Sequence, residues 1–193
     1  MSVLSHSIPV AAREQGLVRS FVSWLFWPLG FSATLFACFS WNLDMWFWLV
    51  LLWPMPLCAL ALELYIPCVT KWRPRLYDLR IDLPFLMVST IVGFATAEVI
   101  FSARRAALAM WSWLPQPWPG DWPFSFQIIL TILIADLTYY GYHRLAHSWD
   151  ILWRFHVVHH SSTRLHWLST TRHHPLDTIG FIVSTVLPLS LLG

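Results

Sequence analysis

The chain has 193 residues, of which 57% are hydrophobic and only 11% charged, and its formal net charge is +2. A water-facing domain usually carries about 25% charged residues, so this chain lacks the polar groups to coat a soluble surface and reads as a membrane protein. The small, dispersed charge gives nucleic acid no footing. Cys38, Cys58 and Cys68 sit in or beside apolar stretches without CxxC spacing, which argues for small buried hydrophobes rather than a disulfide framework or zinc knuckle.

Residues 20–43 contain no charged side chain, enough for a spanning helix of about 20 apolar residues and far beyond the roughly 7–15 residues of a signal-peptide core. Residues 45–62 form a second apolar run that carries Pro54 and Pro56 and ends at Glu63. Only Asn42, Leu43 and Asp44 separate the two, which predicts a tight helical hairpin. A third span is expected over residues 83–103 and a fourth over residues 124–142, with Asp136 inside it. Residues 178–193 read as the start of a fifth. The Trp- and Pro-rich residues 111–123 read as an irregular loop at headgroup depth, where tryptophan anchors membrane proteins.

Positive charge predicts the sides. Arg13 and Arg19 precede the first span, Lys71, Arg73, Arg75 and Arg80 fall between the second and third, and Arg144, Arg154, Arg164 and Arg172 follow the fourth. Four spans with a cytoplasmic N-terminus put all of these inside and leave only Arg104 and Arg105 outside, as the positive-inside rule requires.

Eight of the nine histidines fall between His143 and His174. His143 and His147 are four apart, and His156, His159 and His160 are spaced i, i+3, i+4, so each set shares a helical face. Five such imidazoles would crowd and repel if protonated, which favours a metal site over a structural role. Imidazole suits Fe, Zn, Cu or Ni, so the spacing leaves the metal open. Residues 124–142 make about 28 Å of helix, close to the bilayer core thickness, so His143 is expected at the cytoplasmic interface. Asp136 shares a helical face with positions 140, 143 and 147. An intramembrane carboxylate is costly, and two roles stay open for it: accepting the N–H of a ligating histidine, or bonding a neighbouring helix. His166 reads as structural or as a partner of a ligand, and His6 as an ordinary polar residue. HExxH, Gly-x-Ser-x-Gly and phosphate-cradling glycine loops are absent.

The runs YYGYHRLAH, LWRFHVVHHSS and TTRHHPLD resemble the histidine boxes of the sterol desaturase and fatty acid hydroxylase family. The match is an HxxxH box (His143, His147), an HxxHH box (His156, His159, His160), and an arginine–x–histidine–proline element from Arg172 to Pro175 with His174 at the histidine position. The resemblance implies an iron-dependent, O2-using enzyme whose histidine-held di-iron centre hydroxylates or desaturates a sterol or fatty-acyl C–H bond. The implied ligands are His143, His147, His156, His159, His160 and His174, with His173, His166 and Asp136 around them. It also implies an external electron donor, a b-type cytochrome or a ferredoxin with its reductase. The family carries a further HxxHH box some tens of residues on, whereas this sequence has no histidine after His174. The expectation is a fragment that is inactive alone.

The expected architecture is therefore all-α and multi-pass. Four spans and the start of a fifth carry a cytoplasmic helical cap that binds the metal. Residues 1–123 form an N-terminal transmembrane region and residues 124–193 the histidine-box region. The membrane would be the inner membrane of a bacterium or the endoplasmic reticulum of a eukaryote. The alternative is a membrane metal-binding or metal-transport protein without oxygenase activity, although transport would spread ionisable residues over several spans. A bis-histidine haem protein would need histidines on facing helices inside the bilayer, and the first three spans hold none.

Overall fold

The computed structural model describes residues 54–192 apart from 66, 68, 112, 114 and 115, together with Leu25, Leu29 and Ser32. All regular structure among the described residues is helical. The expected span at residues 20–43 lies outside them except for those three residues, and the run at 45–62 is represented by helix α1 (Pro54–Tyr65). The chain divides into two compact units, Met1–Pro74 and Arg75–Gly193. The first contains α1 and a 3-10 turn at Thr70–Trp72.

The second unit holds α2 (Leu76–Met110), α3 (Phe124–Ser148), α4 (Asp150–His156) and α5 (Pro175–Leu192), with 3-10 turns at His159–Ser161 and Trp167–Thr171. Helices α2, α3 and α5 are each long and apolar enough to cross a membrane. Large side chains such as Ile91, Phe94, Ile129, Leu133 and Leu137 are exposed along them, as expected where the solvent is lipid.

Helix α2 is longer than the 83–103 expected. Its 35 residues extend to about 52 Å, well beyond a hydrocarbon core of about 30 Å. Charge marks where a helix leaves the bilayer core, not where its backbone hydrogen bonding stops. Asp78 in the first turn accepts the Arg75 N–H at 2.9 Å, satisfying one of the helix's orphan donors. Helix α3 likewise runs past residue 142, so His143 and His147 stand one turn apart on its last turns. Extended backbone at Trp149 then breaks the chain into α4. Helix α5 opens at Pro175, whose missing N–H is no loss at that position.

Helix α5 packs against both α2 and α3. Gly93 of α2 lies by Ile182 and Thr178 of α5, where an added Cβ would find ordinary contacts of 3.7–3.9 Å. At Gly180 an added Cβ would collide with the ring of Tyr142 from α3. Gly180→Ala is therefore expected to destabilise by about 1–3 kcal/mol, the usual cost of overpacking, and Gly93→Ala to be tolerated. Unfolding curves in one detergent compare the two, and equal stabilities would contradict this packing.

The loop before α3 closes on Gln127. The Trp118 indole N–H donates to Gln127 Oε1 at 2.9 Å, and the Gln127 amide donates to the Gly120 and Trp122 carbonyls. The Trp118 backbone N–H donates to the Leu192 carbonyl of α5 at 3.0 Å.

At the other end of α2, two ion pairs flank the Trp167–Thr171 turn. Arg164 donates to both oxygens of Asp78 at 3.0 and 3.1 Å. The Arg172 Nε–H donates to Asp82, and Asp82 is fully buried. His166 lies against the same carboxylate, with its Nε2 3.4 Å from Asp82 Oδ2. Ser89 adds a hydrogen bond to the Thr171 carbonyl at 3.2 Å. These contacts fix the chain that leads into His173, His174 and α5.

Candidate metal centre

Four imidazoles converge where α3 ends and α4 meets the His159–Ser161 turn. The Nε2 atoms of His143 and His147 are 3.1 Å apart, those of His147 and His160 3.2 Å, and those of His160 and His156 3.3 Å. Ligand nitrogens held about 2.0–2.1 Å from one metal lie roughly 3 Å from each other. The four rings therefore already have the spacing of a coordination shell, and the cluster is able to bind a metal. An all-imidazole set suits iron as well as zinc, copper or nickel.

The HxxHH triplet does not act as one face. Helix α4 ends at His156, the backbone stays right-handed helical through Val157 and Val158, and His159–Ser161 tightens to a 3-10 turn. His160 consequently reaches the four-histidine cluster. His159 instead stacks on His173, with ring centroids 4.4 Å apart and planes 11° from parallel. His156, fully buried, sits between the two groups, and His156, His173 and Asp177 form a second set close enough to share an ion.

Phe181, one turn after Asp177 on α5, is the apolar floor of the site. Its ring lies 5.4–5.9 Å from those of His143, His156 and His173, and Tyr139 stacks on it at 4.7 Å. Trp153 lies against His147 and His160 at 5.3 and 5.5 Å. His147 and His160 are exposed, while His156 is not. The cluster thus has one sealed side and one open side.

The remaining sequence-predicted residues are elsewhere. His174 Nδ1 accepts the Leu176 N–H at 3.2 Å, capping α5, and its ring packs on Phe155 at 4.9 Å. His173 takes the place beside the cluster that the resemblance implied for His174. His166 is buried with Asp82, remote in contacts from the other histidines. Asp136 is exposed on α3, with no hydrogen bond to a described residue. The carboxylate that does meet the histidines is Asp177, which sequence reasoning missed. Its signal was an acid four residues after His173, at the first turn of an apolar run.

Metal ligation needs neutral imidazoles, and burial favours that form. Burial, reinforced by His173, His156 and His160, pushes His159 down to about 4. Burial and then the neighbouring His156 and His147 hold His160 below its ordinary value. Between pH 6.5 and about 4 the unfolded chain therefore binds a proton that native His159 refuses. Stability conferred above that window is lost as the pH falls through it. The metal-free protein is expected to lose stability on acidification across this range, with a shallower loss in His159→Phe. Parallel pH profiles for the two proteins would contradict the assignment.

Residues 128–193 match the family model described as fatty acid hydroxylase. Ornithine lipid hydroxylase OlsE of Rhizobium tropici is 34% identical over 183 residues, covering 89% of this chain and 54% of the relative. Alkylglycerol monooxygenase of Xenopus tropicalis is 32% identical over 108 residues, covering 53% of the chain and 22% of the relative. The Danio rerio alkylglycerol monooxygenase is 44% identical over 88 residues, 46% of the chain and 19% of the relative. The chain thus spans about half the length of the first of these relatives and less of the others. No solved structure matches it. The converging histidines lie inside the matched region, and the family model together with these relatives supports the fatty acid hydroxylase and sterol desaturase family.

Proposed function

We propose that this protein is an integral-membrane, non-haem iron oxygenase that hydroxylates a C–H bond of a lipid with O2. The observation that carries the reading is the run of four Nε2 atoms 3.1–3.3 Å apart in a chain whose described residues include three helices fit to cross a membrane. Relatives named as a lipid hydroxylase and as monooxygenases favour hydroxylation over desaturation. The ligands proposed are His143, His147, His156 and His160 for one iron, with His159 and His173 serving a second. His174 is proposed as the cap of α5.

Bound iron would supply the one-electron and oxygen chemistry that zinc, lacking redox states, cannot. One oxygen atom enters the C–H bond and the other leaves as water, so the balance needs two electrons and two protons. An external carrier, a b-type cytochrome or a ferredoxin with its reductase, would provide the electrons. The chain's own residues hold and exclude. The α3 pair and the α4–turn pair fix the ring nitrogens, Phe181 and Tyr139 keep the floor apolar, and Trp153 borders the open side. The basic residues that favour a cytoplasmic face for the histidines would put that open side within reach of a soluble donor.

The test is an incubation of the whole protein, iron-loaded and in membranes, with lipid, a reductase system and 18O2. The expected product is a lipid carrying one 18O atom. A protein that binds metal but yields no labelled lipid with any donor would favour the metal-binding alternative.

A further inference from the structure

Asp177 is fully buried in the first turn of α5, yet three side chains from three segments are spent on it. Its Oδ1 accepts the Tyr142 hydroxyl of α3 at 3.1 Å. Its Oδ2 accepts Nδ1–H groups from His156 at the end of α4, at 3.0 Å, and from His173, at 2.9 Å. A carboxylate sealed from water is costly unless such donors satisfy it. Gly180 makes the arrangement possible, because only a residue without Cβ leaves room for the Tyr142 ring.

The chemistry of the three bonds constrains the histidines. A carboxylate has no proton to give, so each imidazole facing it must present Nδ1–H. A neutral imidazole carries a single N–H, which leaves the lone pair on Nε2. In His156 that Nε2 is the atom 3.3 Å from His160 Nε2, on the side of the converging cluster. An ion seated among His156, His173 and Asp177 through the nitrogens that face the carboxylate would displace both Nδ1 protons and leave the N–H of His156 on Nε2, the atom that faces the cluster.

We infer that Asp177 is a positioning residue: one buried carboxylate sets both His156 and His173 as Nδ1–H tautomers, so that each offers Nε2 to metal. The inference rests on the metal-centre reading above and deepens it. It makes a single residue the common anchor of the HxxHH box and of the element that opens α5, with Tyr142 as its brace. It also separates Asp177 from a ligand role, since Oδ2 is already committed to two donors.

Two measurements on the whole protein in lipid nanodiscs test it. The first is the 15N spectrum of histidine-labelled, metal-free wild type, expected to show hydrogen-bonded Nδ1–H tautomers for His156 and His173. The second is anaerobic Fe(II) binding by wild type and Asp177→Asn, whose amide can donate to an imidazole and reverse its tautomer. Removing an orienting partner of this kind typically costs about 10–100-fold in metal affinity, and that loss is expected here together with new Nε2–H signals. Fe(II) binding by wild type with Nε2–H tautomers at both histidines overturns the inference alone, even where Asp177→Asn fails to fold. A folded Asp177→Asn with unchanged affinity does the same. Wild type that shows the Nδ1–H tautomers but binds no Fe(II) overturns the metal-centre reading, and the inference falls with it.

Discussion

His156→Ala is expected to abolish tight iron binding and lipid hydroxylation together, whereas His174→Ala keeps both. His156 is fully buried and lies between the two histidine groups. It offers Nε2 toward His160 and Nδ1 to Asp177. Its removal deletes a proposed ligand, opens a void over Phe181 and takes one of three donors from a buried carboxylate. The loss should exceed the roughly 10–100-fold of an outer partner. His174 instead supplies a helix cap, and deleting a cap costs about 1 kcal/mol of stability. Equilibrium dialysis with iron analysis compares the two variants. Normal iron in His156→Ala, or lost iron in a folded His174→Ala, would reverse the proposed assignment of the adjacent boxes.

Breaking the Asp82–Arg172 pair is expected to have the largest effect on stability. Asp82 is fully buried and Arg172 nearly so, and the pair ties α2 to the turn that leads into His173. Deleting one member of a buried pair leaves an uncompensated charge, at a cost of about 3–5 kcal/mol, against a total stability of about 5–15 kcal/mol for a typical domain. Arg172→Ala and Asp82→Ala should each be severe. Asp82→Leu combined with Arg172→Met should recover much of the loss, because two apolar groups leave no orphan charge. A double-mutant cycle in unfolding experiments measures the coupling. Additive single-mutant effects would show that the pair does not act as a unit. The same variants should weaken iron binding, since the segment they release carries His173.

The sequence made the helices legible through their apolar runs, and the histidine pair through its i, i+4 spacing. Helix ends were less legible. Asp78, Asp82, Arg104 and Arg105 interrupt the hydropathy of α2 but not its backbone hydrogen bonding, because charge is tolerated once a helix reaches the headgroups. The division of the HxxHH box was hidden as well. Whether His159 joins His160 depends on how the chain turns after α4, and the 3-10 turn at His159–Ser161 sends His159 to His173 instead. Of the adjacent His173 and His174, the one nearest the metal site is decided by the start of α5. Pro175 opens that helix, and His174 is left to cap the Leu176 N–H. Asp136 drew notice as a charge inside a span, yet Asp177, on another helix, is the carboxylate the rings meet. That contact spans 35 residues from Tyr142 and 21 from His156, a separation no local pattern encodes.

The metal content and visible spectrum of the whole protein purified from membranes test directly whether the histidines hold iron. Bound iron with no Soret absorption is expected, and it is lost in His156→Ala. A Soret band, or a full complement of zinc with iron excluded, would contradict that expectation.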